Sequence, residues 1–340
     1  MSGKLEILFL SNKQVNALAA DNMSEVMHDM ERVLSLLDEG KAISPNKAVL
    51  SWGETVEDEN KYGRINAMPG YIGGEYDMAG IKWIGSNPQN YKLGLPRATV
   101  LVVLNDPVTK IPVAVSDGTT VSAKRTGAIG GVAAKYLSVS NASNITIFGA
   151  GAQGRTQLEA ILLARPTIKN VYINDAFFEK AQEFAEEMSK KYGITVTPIK
   201  EPEQYCSKSE IIVTVTTATE PIVEASWIKP GTLMINMADY EFNYDCVKIA
   251  DKIVVDNWEN IKHRKISTVA LMYHEGLIKD EDITAHIGEI INGKKPGRES
   301  DDEIIYFNAV GMGIEDIAVV TRAYKKALAQ GVGTKVAYWE

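Results

Sequence analysis

The sequence predicts an α/β protein of two domains, one a doubly wound parallel sheet and the other an α+β domain. Three observations carry that reading. The chain has 340 residues, and at roughly 150 residues per domain that length corresponds to about two domains. Hydrophobic residues make up 45% and charged residues 24%, enough apolar material for two cores and too much for a disordered or fibrous chain. The pattern changes near residue 140: before it extended segments alternate with turns, and after it strands alternate with helices.

Taken in order, Ser11 with Gln14 and Asn22 with Glu25 have the spacing of capping boxes that open two helices. The second helix carries Val26, Met30, Val33 and Leu37 on one face, which reads as a buried stripe. Extended segments follow at Ala48–Leu50, Arg64–Met68, Met78–Ile84 and Ala98–Leu104. Turn residues separate them (Met68-Pro69-Gly70, Gly73-Gly74, Asn87-Pro88, Asn105-Asp106-Pro107), so a largely antiparallel sheet is expected. Ala123–Ala134 is a helix of small residues suited to close packing.

From Asn144 the rhythm is strand, helix, strand, helix. Ile145–Phe148 and Val171–Asn174 are short apolar strands, Gln153–Ala164 is a helix, and Glu179–Tyr192 is an amphipathic helix with Ala181, Phe184 and Met188 inward. Thr195–Ile199, Ile211–Val215, Leu233–Asn236 and Ile253–Val255 supply further strands. Such alternation implies parallel βαβ units. The tail forms one more helix, Gly313–Gln330, with Ile317, Val320, Tyr324 and Leu328 at helical spacing.

Composition also excludes functions. The net charge is −8 and the isoelectric point is near 5.3, which argues against nucleic acid as a partner. Cys206 and Cys246 form no disulfide framework, and a reducing cytoplasm fits them. After Met1-Ser2-Gly3-Lys4 the apolar stretch Ile7–Leu10 is too short for a signal peptide. The longest apolar run, Val100–Leu104, falls far below the ~20 residues of a membrane span. His28, His263, His274 and His286 show no ligand spacing, so no metal site is expected.

The first functional signal is Gly149-Ala150-Gly151-Ala152-Gln153-Gly154, a G-x-G-x-x-G pattern directly after a strand and opening a helix. In a Rossmann-type domain Gly149 makes the tight turn, Gly151 lets backbone approach a pyrophosphate, and Gly154 lets helix and strand pack closely. Ala152 and Gln153 sit at the helix N-terminus, whose N–H groups face the anion. Asp175, 21 residues after Gly154, suits the adenosine ribose hydroxyls and repels a 2′-phosphate, so NAD is favoured over NADP. Asn174 beside it and Arg155 near the loop are two counter-signals to that preference. Thr216 and Thr217 follow another strand, where ligands of such sheets bind; they contact the cofactor's ribose or form an ordinary loop.

The chain resembles the ornithine cyclodeaminase/mu-crystallin family over essentially its whole length. The resemblance rests on Gly80-Ile81-Lys82-Trp83-Ile84, Gly94-Leu95-Pro96-Arg97-Ala98, Ser122-Ala123-Lys124-Arg125-Thr126-Gly127-Ala128, the glycine loop, and Gly311-Met312-Gly313-Ile314-Glu315-Asp316. It implies a homodimer built through the non-Rossmann domain. It also implies a division into residues 1–125 plus 318–340 for substrate binding and dimerisation, and 126–317 for the dinucleotide.

The resemblance implies roles for single residues. Lys82 matches the family's catalytic lysine; an amine poised by burial moves protons to or from a substrate nitrogen. The alternative is a strand lysine facing water. Arg125 matches the arginine that binds the substrate carboxylate with its guanidinium fork. For a second basic residue, Lys47 is the nearest match, and Arg97 is the other candidate. At Asn236-Met237-Ala238-Asp239-Tyr240-Glu241 cyclodeaminases carry glycines and then an aspartate. Glu241 matches that aspartate by position and Asp239 lies two residues earlier; either carboxylate does the work, or both are solvated loop acids. Asp316, in a first helical turn, is either helix-stabilising or functional.

The expected function is chemistry at the α-carbon of a small amino acid through an imine. Ornithine cyclodeaminase activity, L-ornithine to L-proline plus ammonia, is the leading form. The alternatives are an NAD(P)-dependent dehydrogenase or imine reductase (diaminopropionate-biosynthesis type, alanine dehydrogenase or ketimine reductase), and a non-enzymatic NAD(P)-bound protein like mu-crystallin. Met68-Pro69 to Lys82-Trp83 looks closest to the diaminopropionate branch.

Overall fold

The computed structural model describes residues 5–53, 58, 62–237 and 239–339; Met1 to Lys4 and Ala238 lie outside them. The chain divides into two compact units, 1–125 with 312–340 and 126–311. Residues 312–317 thus belong with the first unit, not the second. The reason is burial: Ile314, Glu315, Asp316 and Ile317 all lose their solvent there.

Unit 1 begins with β1 (Leu5–Leu10) and a helical turn, Asn12–Val15, in which the Gln14 side chain accepts from the Ser11 N–H as a capping box requires. Helix α1 (Met23–Asp38) is capped by Asn22, which accepts from Glu25 N. The Glu25 side chain does not close the box; it pairs with Arg322 and Lys326. Val26, Met30 and Val33 are buried as their spacing indicates. The strands β2 (Ala42–Ile43), β3 (Ala48–Leu50), β4 (Arg64–Ile72), β5 (Met78–Ser86), β6 (Ala98–Asn105) and β7 (Pro112–Asp117) follow. Helix α2 (Thr119–Leu137) contains the division between the units.

Unit 2 is a parallel sheet. Along the chain come β8 (Asn144–Phe148), α3 (Ala152–Ala164), β9 (Asn170–Asn174), α4 (Phe178–Tyr192), β10 (Thr195–Pro198), β11 (Ile211–Thr214), β12 (Leu233–Asn236), β13 (Lys252–Val255), β14 (Ala285–His286) and β15 (Ile305–Asn308). Their order is β10-β9-β8-β11-β12-β15-β13-β14, every pair parallel. β8 starts one run outward through β9, and β11 starts the opposite run. The switch point of this doubly wound sheet therefore lies between β8 and β11, the place where such sheets bind ligands. β15, wholly buried between β12 and β13, is a strand that the sequence reading does not contain.

The chain then returns to unit 1 as α5 (Gly313–Gln330) and β16 (Thr334–Trp339). The unit 1 sheet runs β16-β1-β7-β6-β5-β4-β2, with β3 also on β4. It is antiparallel except for β1 against β7. Ile317 and Val320 of α5 are buried as expected, whereas Leu328 is exposed and Ala327 takes the inward place. No helix among the described residues is long and apolar enough to cross a membrane.

Candidate functional site

Unit 1 holds a buried cluster of four charged side chains. Strand periodicity places alternate residues of β5 on opposite faces. Lys82 points inward and is 2% exposed, while apolar Trp83 beside it is 45% exposed. The usual polarity of the strand is inverted, and the side chains inside α5 and α2 account for it. Gly313 starts α5 so close to β4 that a Cβ there would collide with the Met68 carbonyl oxygen, and Met68 is the cross-strand partner of Lys82. This approach brings the first turn of α5 over the lysine.

Lys82 Nζ lies 2.9 Å and 3.0 Å from the two carboxylate oxygens of Asp316, and donates to Ser122 Oγ at 2.8 Å. Arg125, one turn after Ser122 on α2, has Nε 3.0 Å from Asp316 Oδ2 and Nη1 2.5 Å from Glu315 Oε2. Glu315 and Asp316 are fully buried. Burial is the largest influence on Lys82 and the positive charge of Arg125 adds to it. Together they outweigh the two carboxylates and bring the amine down to about 8. Such a group exchanges a proton near neutral pH, and an amine and a guanidinium on one carboxylate form a surface suited to a small anion with a titratable nitrogen.

Unit 2 holds the glycine loop. Gly149 turns at φ +108°. Gly154 is held against the turn so closely that a Cβ would collide with the Gly149 carbonyl oxygen. Gly151 faces open space, and Gln153 Oε1 is buried without a hydrogen-bond partner among the described residues. Asp175 accepts from Ala150 N at 2.8 Å through one oxygen and from Phe177 N at 3.0 Å through the other, which ties the loop to the end of β9. An open backbone cradle at a helix N-terminus, an orphaned buried acceptor and an adjoining carboxylate fit a dinucleotide. Arg155 is a helix-face residue here, 2.7 Å from Glu187 and over the Phe184 ring.

The other candidates are less concentrated. Thr216 donates through both N (2.7 Å) and Oγ1 (2.5 Å) to Glu241, and Thr217 is exposed. Glu241 is fully buried, also accepts from Asn236 Nδ2 at 3.3 Å, and burial raises its pKa. It fastens the β11 and β12 ends together. Asp239 is partly exposed and pairs with Arg264 at 3.2 Å. Lys47 is half-buried just before β3, and Arg97 is exposed before β6. Among the described residues no group of three His, Cys, Asp or Glu side chains is arranged to hold a metal. Glu315 is the residue of the cluster that sequence reasoning misses. Its signal was its place next to Asp316 in an otherwise apolar turn.

The model of the ornithine cyclodeaminase/mu-crystallin family matches residues 7–331. N-((2S)-2-amino-2-carboxyethyl)-L-glutamate dehydrogenase of Staphylococcus aureus is 33% identical over 332 residues, 97% of this chain and 98% of that protein. The structure of Δ1-pyrroline-2-carboxylate reductase from Thermococcus litoralis in complex with NADH and L-proline matches with a TM-score of 0.89 and 37% identity, over 97% of this chain and 100% of that one. An archaeal alanine dehydrogenase dimer with bound NAD matches with a TM-score of 0.88 and 35% identity, over 98% of this chain and 100% of that one.

Proposed function

The chain belongs to the ornithine cyclodeaminase/mu-crystallin family, and from that premise we propose that it is an NAD-dependent oxidoreductase acting at the α-carbon of a small amino acid and its imine. The observation that carries this reading is the buried Lys82 amine, lowered to about 8 and held between Asp316 and Ser122 beside Arg125. NAD, when bound at Gly149–Gly154 and Asp175, supplies the hydride acceptor or donor; the relatives crystallised with NADH or NAD support that assignment. Asp175 favours the unphosphorylated ribose. Arg125 holds the carboxylate of the amino acid. Lys82 takes a proton from the amino nitrogen as the α-carbon is oxidised, and returns one when the imine is reduced. Asp316 and Ser122 fix Nζ, and burial keeps water from the amine. Lys47 and Arg97 are additional candidates for the carboxylate.

Ring closure of ornithine requires one further acid to steer the distal amine. Glu241 is already engaged by Thr216 and Asn236, and Asp239 by Arg264, which favours net oxidoreduction over cyclodeamination. A screen of amino acids and cyclic imines at the NADH absorbance band tests this: net NADH formation or consumption is expected. Proline and ammonia from ornithine with catalytic NAD and no net NADH would replace this reading by cyclodeaminase. Tight NADH binding with no turnover of any amino acid or imine would replace it by a binding protein like mu-crystallin.

The outer face of the unit 1 sheet supports a homodimer. Trp83 and its cross-strand partner Leu101 are exposed on the face opposite Lys82, as are Leu50 and Phe9, and an apolar face of this kind marks an interface. Light scattering reads the mass; Trp83→Glu with Leu101→Glu is expected to give monomer. Cys206 and Cys246 are buried free thiols, which suits a reducing cytoplasm.

A further inference from the structure

We propose that the Phe177 ring is the platform on which the adenine of the dinucleotide stacks, steadied from its other face by Lys180. The inference rests on the dinucleotide assignment of Gly149–Gly154 and Asp175, and deepens it by a residue that neither the loop nor the carboxylate includes.

Among the described residues of unit 2, Phe177 is the one aromatic side chain that is exposed, at 62%. A lone exposed apolar residue needs no explanation by itself; the position of this one does. It is the N-cap of α4, with φ −105° and ψ 100°, and makes no side-chain cap. That position ordinarily carries Ser, Thr, Asp or Asn, whose side-chain oxygen satisfies a free N–H of the first turn. A phenylalanine forgoes that bond and sets its ring in water as well, although Phe178 beside it is half-buried. Departures of this kind from local preference concentrate at functional sites.

The loop also holds the ring in place. Asp175 accepts from Ala150 N of the glycine loop and from Phe177 N, one on each carboxylate oxygen, at 2.8 Å and 3.0 Å. A single carboxylate thus fixes both the phosphate cradle and the backbone that bears the ring, and each of its oxygens keeps a second lone pair for a ribose hydroxyl. Lys180 N donates to the Phe177 carbonyl at 2.9 Å, and Lys180 Nζ lies over the ring, 4.6 Å from its centroid. The ammonium takes one π-face, and the other is left for a flat group. Adenine is such a group: it is bonded to the ribose that a carboxylate at this strand end takes, and stacking requires of it only a π-face.

The test uses the full chain and reads binding rather than turnover, with NADH and ADP-ribose as probes. Calorimetric titration of Phe177→Ala is expected to show both binding about tenfold or more weaker than to the native protein. Phe177→Leu, which keeps an apolar side chain without a π-system, should lose affinity in the same way and serves where the alanine variant fails to fold. Phe177→Trp should bind both at least as tightly as the native protein does. ADP-ribose, which carries no nicotinamide, should also quench the emission of the added tryptophan, a signal the native protein does not give. A merely structural role would lower the melting temperature of the variants and leave the affinities as they are. Native affinity in the Ala and Leu variants, or a Trp variant as weak as the Ala one, overturns the inference and leaves the dinucleotide reading standing. A native protein that binds neither probe overturns that reading and the inference with it.

Discussion

Replacing Lys82 with methionine keeps the stem and removes the charge, and the structure fixes what the pH dependence of stability should then lose. The Lys82 amine lies at about 8 against an ordinary 10.5, chiefly through burial and next through Arg125. A lysine lowered in this way binds its proton less tightly folded than unfolded. Between about pH 8 and 10.5 the unfolded chain still holds the proton and the folded chain has released it, so the stability contributed by this group rises with pH through that window. At about 1.4 kcal/mol for each tenfold in proton affinity the full difference is about 3 kcal/mol. Urea unfolding of the native protein and Lys82→Met, followed by tryptophan fluorescence at about pH 7 and about pH 10, measures it. Subtracting the two cancels the tyrosines and lysines they share. The native protein should gain about 2–3 kcal/mol over the variant between the two conditions. The variant will be less stable at both, because Asp316 keeps Arg125 alone, but that is an offset and not a slope. Parallel pH curves would mean that Lys82 is not held as a desolvated cation, and the acid–base role built on it would fall.

Other perturbations separate the parts of the site. Arg125→Lys preserves the charge and loses the fork, so KM for the amino acid should rise about tenfold or more with a smaller effect on kcat; steady-state kinetics shows it. Gly154→Ala forces a methyl group onto the Gly149 carbonyl, and NADH fluorescence titration should detect no saturable binding in a variant whose unit 1 still folds. Asp175→Asn removes the charge and leaves one acceptor oxygen where the two carboxylate oxygens now take Ala150 N and Phe177 N separately, and should narrow the preference for NADH over NADPH in the same titration. Glu241→Gln replaces an acceptor-only group beneath Thr216 with one that also carries donors; thermal denaturation should register a loss of about 1–3 kcal/mol with KM unchanged.

The glycine loop was legible because its geometry is local. Gly149, Gly151 and Gly154 act within one turn, between a strand and a helix whose own patterns are clear, and Asp175 is the end of the next strand. The antiparallel hairpins of unit 1 were legible for the same reason, through Gly73-Gly74, Asn87-Pro88 and Asn105-Asp106-Pro107, whereas Met68-Pro69-Gly70, read as a turn, lies inside β4 and pairs with β5. β1, β7 and β16 were not; β16 is an edge strand, Thr334–Trp339, defined by the neighbour it meets and not by its own composition, and β1 and β7 lie inside the same sheet. Leu328 had the spacing of a buried residue, yet it faces outward while Ala327 beside it is buried.

The sequence by itself determined the class of fold and the strand, glycine turn and helix that carry Gly149–Gly154, and likeness to a family singled out Lys82 and Arg125 as candidates. Only the tertiary structure decided which acids answer those cations. Glu315 is 190 residues from Arg125, and Asp316 is 234 from Lys82, so no local pattern links them. Tertiary structure likewise decided that the Glu241 carboxylate is engaged inside unit 2 while Asp239 stays at its surface. A charge stripped of water must find its opposite wherever the fold brings one, and that requirement is met by packing across distant segments, not by spacing along the chain.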